Sequence, residues 1–303
     1  MSSRRADLLL AFTTLLWGVS FVVVKEALAA STPLLFTALR FGIAGLLLAP
    51  LARLDVPFTR AELRAGALLG TLLAVGFATQ AVGLVATTPA RSAFIVASSS
   101  VLAPVVAFAA LRQRPRAWVA AALGLAALGM YLLTAPEAGG LNRGDAWTLA
   151  TACCFGGQIV AVAELSRRHD PARLVWMQTV VTAAGAGLAA AAFEDAHVHP
   201  SPALLGALAY TAVFATALAL LWQMRAQRHM SSARAALLFC LEPVFAALAS
   251  WVWLGERLSL SQWTGGALIL AGMVVADVPG RRQTSVELPR GLGDISPSRG
   301  SDV

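Results

Sequence analysis

Ten stretches of ~20 mostly apolar residues follow one another along this 303-residue chain, joined by connections too short to fold alone. They are 7–29, 33–54, 64–84, 90–111, 117–134, 144–165, 171–193, 202–223, 232–254 and 261–277. A bilayer core offers no water to an unpaired peptide group, so segments of this length are expected to be helices that satisfy their own backbone. Composition agrees: 58% of residues are hydrophobic and 13% charged, about half the ~25% charged fraction of soluble domains. A water-soluble globule is excluded, and no length remains for a soluble catalytic domain. The predicted fold is an all-α integral membrane protein with ten transmembrane helices.

The net charge of +7 raises the question of nucleic acid, and the placement of the basic residues answers it. They lie between apolar segments, where they act as topology signals and form no patch for reading phosphates. With the N-terminus inside, the inner side receives Arg4 and Arg5; Arg53, Arg60 and Arg64; Arg112, Arg114 and Arg116; Arg167, Arg168 and Arg173; Arg225, Arg228 and Arg234; and the tail arginines. The outer side receives Arg91, Arg143 and Arg257, with Lys25 near that surface and the acidic Glu137, Glu194 and Asp195. This bias predicts both termini on the cytoplasmic side of the inner or plasma membrane, with 1–6 a cytoplasmic N-terminus. Residues 278–303, too polar to bury themselves, read as a disordered cytoplasmic tail. Leu8 to Val24 is longer than the core of a signal peptide, and Lys25-Glu26 precedes the small residues of Ala27-Leu28-Ala29, so this segment reads as a retained span. Cys153, Cys154 and Cys240 fall inside apolar segments and read as packing thiols, with no metal site or cofactor expected.

The chain also repeats itself. A shift of 138 matches Asp7 with Asp145, Thr13 with Thr151, Gly18 with Gly156, Val22 with Val160, Glu26 with Glu164 and Pro33 with Pro171. Further on, a shift of 143 matches Gln80 with Gln223, Arg91 with Arg234, Arg114 with Arg257, and Gly129-Met130 with Gly272-Met273. The repeats are 7–134 and 144–277, five segments each. An odd number sends the second repeat into the membrane from the opposite side, giving the inverted symmetry by which secondary transporters alternate access to one midplane site. Transport is the physical inference.

Leu15-Leu16-Trp17-Gly18-Val19-Ser20-Phe21, then Leu39-Arg40-Phe41, resemble motifs of the EamA family within the drug/metabolite transporter superfamily. So does the run from Ser232-Ala233-Arg234 through Leu241-Glu242-Pro243-Val244 to Leu254-Gly255-Glu256-Arg257-Leu258. The resemblance covers roughly residues 7 to 277. It implies ten helices and the export of amino acids or other small metabolites. Arg112-Gln113 departs from the pattern where its repeat partner has Gly255-Glu256.

Polar residues within the segments are the site candidates, since polar groups in hydrocarbon usually face a bundle interior or a wet cavity. Thr13, Trp17 and Ser20 share one helical face, and at the 138 shift Thr151, Phe155 and Gln158 repeat the polar-aromatic-polar stripe. Both stripes are expected to line a central cavity, with interhelical hydrogen bonding as the alternative. Gln80 and Gln223 occupy equivalent places near segment ends. Pro104 and Pro243 are helix-break candidates, and Ser99 aligns with Glu242. Glu242, deep in its segment, suits a proton-coupling group, a counter-ion for a substrate amine, or a structural partner of Arg40. Gly66 and Gly70 read as a close-packing face.

The other function classes are a membrane-embedded enzyme and a channel or scramblase. The four histidines lie in loops or at segment ends, His197-Val198-His199 is a weak metal pattern on the outer side, and no phosphate-cradling loop is present. The expected partners are a small-molecule substrate and membrane lipid, with a monomer or homodimer as the assembly.

Overall fold

The computed structural model describes residues 2–87, 89–112, 117–134, 142–254 and 259–276. These are helical nearly throughout: α1 Ser3–Ala27, α2 Pro33–Leu48, α3 Arg60–Ala86, α4 Pro89–Ala97, α5 Ser99–Leu111, α6 Ala117–Thr134 and α7 Arg143–Leu165. They continue with α8 Pro171–Phe193, α9 Pro202–Ala209, a π-helical stretch Tyr210–Leu218, α10 Ala219–Gln227, α11 Ser232–Phe239, α12 Glu242–Leu254 and α13 Leu260–Ala276. Residues 277–303 lie outside the described residues, among them 278–303, where a disordered tail was expected, and so does the sequence motif Gly255-Glu256-Arg257-Leu258.

Helix starts follow local chemistry. Thr59 and Glu62 form a reciprocal capping box at α3, Asn142 and Asp145 another at α7, each satisfying amide donors that the first turn leaves open. Asp170 caps α8, where Pro171 opens the helix with the one residue type that has no amide to satisfy. The second segment was expected to run to residue 54, but α2 stops at Leu48 and tightens into a 3-10 turn over Ala49–Leu51. Pro50 is the reason: it has no amide to bond to the carbonyl of Leu46, so the α-helical pattern cannot continue through it.

Among the described residues seven helical stretches are long and apolar enough to cross a membrane, and three shorter apolar helices, Ile95–Leu111, Ala120–Leu132 and Trp263–Gly272, fall within the remaining expected segments. The surface is inside out relative to a soluble protein. Leu46, Leu188 and Phe193 are 78%, 74% and 83% exposed, while Thr14, Thr148, Thr182, Thr211 and Gln178 are completely buried. Apolar exposure on that scale requires a lipid solvent. The buried threonines satisfy themselves, returning their hydroxyls to the carbonyl four residues back, as Thr14 does to Leu10 at 2.8 Å and Thr211 to Ala207 at 2.7 Å.

Packing is paired as the sequence repeat is. α3 packs on α7 and α10 on α1; α5 packs on α7 and α12 on α1; α2 meets α8, and α6 meets α13. Glycines set several of these crossings. A Cβ at Gly66 would stand 2.6 Å from Met177 Cβ and one at Gly70 would stand 2.5 Å from Val181 Cβ, so α3 and α8 touch through the face that the two glycines leave bare.

Candidate functional site

One cavity with an empty volume of about 580 Å³, its open mouth included, lies among α1, α3, α4, α5, α7, α10, α11 and α12. Its lining obeys the sequence repeat. Trp17 and Phe155, Ser20 and Gln158, Phe21 and Ile159 are partners at the 138 shift. Phe77 and Leu220, Gln80 and Gln223, Val96 and Phe239, Ser99 and Glu242 are partners at the 143 shift. Leu73 alone among the lining residues lacks its counterpart there.

Of the candidates read from sequence, Trp17, Ser20, Gln80, Ser99, Phe155, Gln158, Gln223 and Glu242 come together at this cavity. Thr13 and Thr151 do not. Thr13 is fully buried with its hydroxyl on the Leu9 carbonyl at 2.9 Å, and the Thr151 hydroxyl meets that of Thr79 at 2.8 Å, tying α7 to α3. For these two the interhelical and self-satisfied bonding of buried threonine describes the geometry.

Helix breaks bring two of the lining residues into place. Ser98 separates α4 from α5, and Cys240-Leu241 separates α11 from α12; Ser98 and Leu241 are themselves partners at the 143 shift. Ser99 and Glu242 are therefore each the first residue of a helix that restarts at the cavity wall. For Glu242 that position adds the favourable end of the α12 dipole to a carboxylate. Pro243 follows directly, at a position where its missing amide costs nothing. Pro104 lies inside continuous α5, and the break that its repeat shows falls six residues earlier, at Ser98. The Ser98 hydroxyl folds back on the Ile95 carbonyl at 2.6 Å, and its carbonyl accepts from Val101 and Leu102, both at 3.0 Å. That local bonding lets the chain turn without a proline.

Glycine holds the restarted helices against the repeat-related stripe helices. A Cβ on Gly18 would stand 2.8 Å from the Glu242 carbonyl oxygen, and one on its partner Gly156 would stand 3.2 Å from that of Ser99.

Arg40 lies outside the cavity lining and forms no ion pair with Glu242. It is buried, and its Nε donates to Thr216 Oγ1 at 2.6 Å while one terminal nitrogen donates to the Ala215 carbonyl at 3.1 Å. Its guanidinium also sits 4.9 Å from the centre of the Phe77 ring, a cation–π distance. Ala215 and Thr216 belong to the π-helical stretch, whose widened turn offers main-chain acceptors sideways. The Ala215 carbonyl takes a second donor, the indole nitrogen of Trp17 at 2.9 Å. Arg40 and the cavity residue Trp17 thus share one acceptor. At the 138 shift Arg40 corresponds to Gln178, which accepts at 2.9 Å from the amide nitrogen of Gln158. The two equivalent positions support the two polar-aromatic stripes by different chemistry.

Sequence reading missed Gln178, Tyr210, Phe77 and Phe239. The repeat could have nominated Gln178 as the partner of Arg40, whereas Tyr210, whose hydroxyl donates to the Leu16 carbonyl at 2.9 Å, carries no such signal.

Two acceptors at the cavity wall are uncommitted. Among the described residues Glu242 has no ion-pair or hydrogen-bond partner for its carboxylate, and the Gln158 carbonyl oxygen is buried without one. Arg173 and Arg234, by contrast, are paired. Arg173 donates to Glu62 at 2.8 Å and to the carbonyls of Ala52, Arg53, Val56 and Pro57, and stacks 4.0 Å over Phe58. Arg234 pairs with Asp7 at 2.7 Å, joining α11 to α1. Among the described residues no group of three or more His, Cys, Asp or Glu is placed to hold a metal ion.

The EamA-like transporter family model matches the chain twice, over residues 4–135 and 142–276. The chain belongs to that family. An archaeal relative from Archaeoglobus fulgidus, described as an uncharacterized transporter, is 32% identical over 90% of this EamA chain and 86% of its own length. The inner membrane transporter YicL of Salmonella typhimurium, also described as uncharacterized, is 26% identical over 93% and 98% of the two chains. A protein of known crystal structure superposes with a TM-score of 0.74 over 94% of this chain and all of its own, at 23% identity, which shows a shared fold. The EamA chain is therefore an integral membrane protein of a transporter family.

Proposed function

We propose that this EamA protein is a secondary transporter that exports small amphiphilic metabolites, amino acids among the candidates, by alternating access. The observation that carries the reading is the lining of one central cavity by seven pairs of residues equivalent in the sequence repeat. Two five-helix halves of opposite orientation put any lining residue and its partner at mirrored depths, so their shared cavity sits at the midplane and can open to either side in turn. The ten helices then form two inverted repeats, with both termini cytoplasmic as the arginine distribution favours. The Asp7–Arg234 pair suits a closure contact on one side of such a machine. At the 138 and 143 shifts the two residues correspond to Asp145 and Arg91 in the other repeat.

Counterflow in proteoliposomes tests the reading. Vesicles loaded with unlabelled substrate should accumulate external labelled substrate transiently and saturably. Flux that grows linearly with concentration and shows no exchange would replace the carrier by a channel or scramblase.

A further inference from the structure

We infer that the cavity takes a small amphiphilic ammonium ion in preference to a zwitterion, an inference that deepens the transporter reading and relies on it for biological use. Glu242 is the one charged side chain among the described lining residues, and no described cation neutralises it. Two of the described cations are committed elsewhere. Arg40 donates to Thr216 and Ala215 outside the lining, and Lys25 donates to the carbonyls of Leu84 and Thr87 at 2.6 and 3.3 Å. A ligand carboxylate would enter a site that holds a carboxylate and no cation, the like-charge juxtaposition that disfavours a partner.

An ammonium group meets the opposite situation. Glu242 supplies the counter-charge and the Gln158 carbonyl oxygen, on a residue 3% exposed, supplies an acceptor with no other donor to serve. The amide nitrogen of Gln158 is given to Gln178 at 2.9 Å, and the Gln178 amide nitrogen is likewise buried without an acceptor. Around them Trp17, Phe77, Phe155 and Phe239 present aromatic surface, which attracts a cation to its ring faces and an apolar tail to the remainder. Charge, acceptor and aromatic wall select one class: a primary arylalkyl ammonium.

Calorimetric titration of the purified full-length protein in detergent tests this with four probes of similar size: phenethylamine, its N,N,N-trimethyl derivative, 2-phenylethanol and phenylalanine. Phenethylamine should bind at least tenfold more tightly than phenylethanol or phenylalanine, with the trimethyl derivative between. Glu242→Gln should remove that advantage without weakening the alcohol. Gln158→Leu should weaken the primary amine more than the trimethyl compound, which has no N–H to donate. The wild-type series decides even where a variant does not fold. Equal binding of amine and alcohol, tighter binding of phenylalanine, or no binding of either cation overturns the inference. Counterflow with labelled phenethylamine separates the two readings: binding without exchange leaves the ammonium site and removes the carrier, whereas exchange of phenylalanine alone does the reverse.

Discussion

The Ala215 carbonyl couples two residues that sequence separates by twenty-three positions, the cavity residue Trp17 and the buried Arg40. Arg40 has no carboxylate partner among the described residues, and a buried guanidinium without one depends on its hydrogen bonds and on the Phe77 ring. Trp17→Phe keeps an aromatic wall but removes the indole donor, and should cost about 1 kcal/mol of stability, the net value of one hydrogen bond. Combined with Arg40→Gln, it leaves the same carbonyl short of both donors. The double variant should then be less stable than the sum of the singles by about 0.5 kcal/mol or more, measured by unfolding of the purified protein. Strict additivity would show that the shared acceptor carries no energetic coupling.

At the scale of helices, small residues decide how closely the restarted helices approach the cavity. Gly18 lies under the main chain at Glu242, and a Cβ there would also come within 2.9 Å of the Ala246 amide nitrogen, which is backbone and cannot rotate away. At Gly156 the nearest atoms stand at 3.2 Å, and one of them is the Leu102 Cβ. Gly18→Ala should therefore destabilise by about 1–3 kcal/mol, the usual cost of overpacking, and should weaken ligand binding as α12 shifts. Gly156→Ala should be milder in both respects. Thermal unfolding and ligand titration of the two variants check the order, and a reversed order would mean that the α5–α7 crossing is the tighter constraint.

For the molecule as a whole, the charged connections predict the sidedness. Asp195 and Arg168 are both exposed, in connections expected on opposite faces. In a background without native cysteine, Asp195→Cys should react with an impermeant maleimide on intact cells. Arg168→Cys should react only after permeabilisation. Labelling of both from outside would overturn the inverted arrangement, since α8 alone separates the two positions.

Sequence by itself determined the membrane solvent, the helical class and the internal repeat, because segment length, apolar content and a constant residue shift are properties of the chain. Through the repeat it also reached many of the cavity residues: Trp17 with Phe155, Ser20 with Gln158, Gln80 with Gln223 and Ser99 with Glu242. Tertiary structure decided which polar side chains reach open space. Thr13 and Thr151 share helical faces with lining residues, yet a threonine hydroxyl finds an acceptor within its own helix or on a neighbour, so its polarity does not report a cavity. The separation of Arg40 from Glu242, the Gln158–Gln178 contact and the sideways presentation of the Ala215 carbonyl depend on how helices cross and where one widens into a π turn. Those are relations between distant segments, and periodicity along one helix gives a direction without giving what stands opposite it.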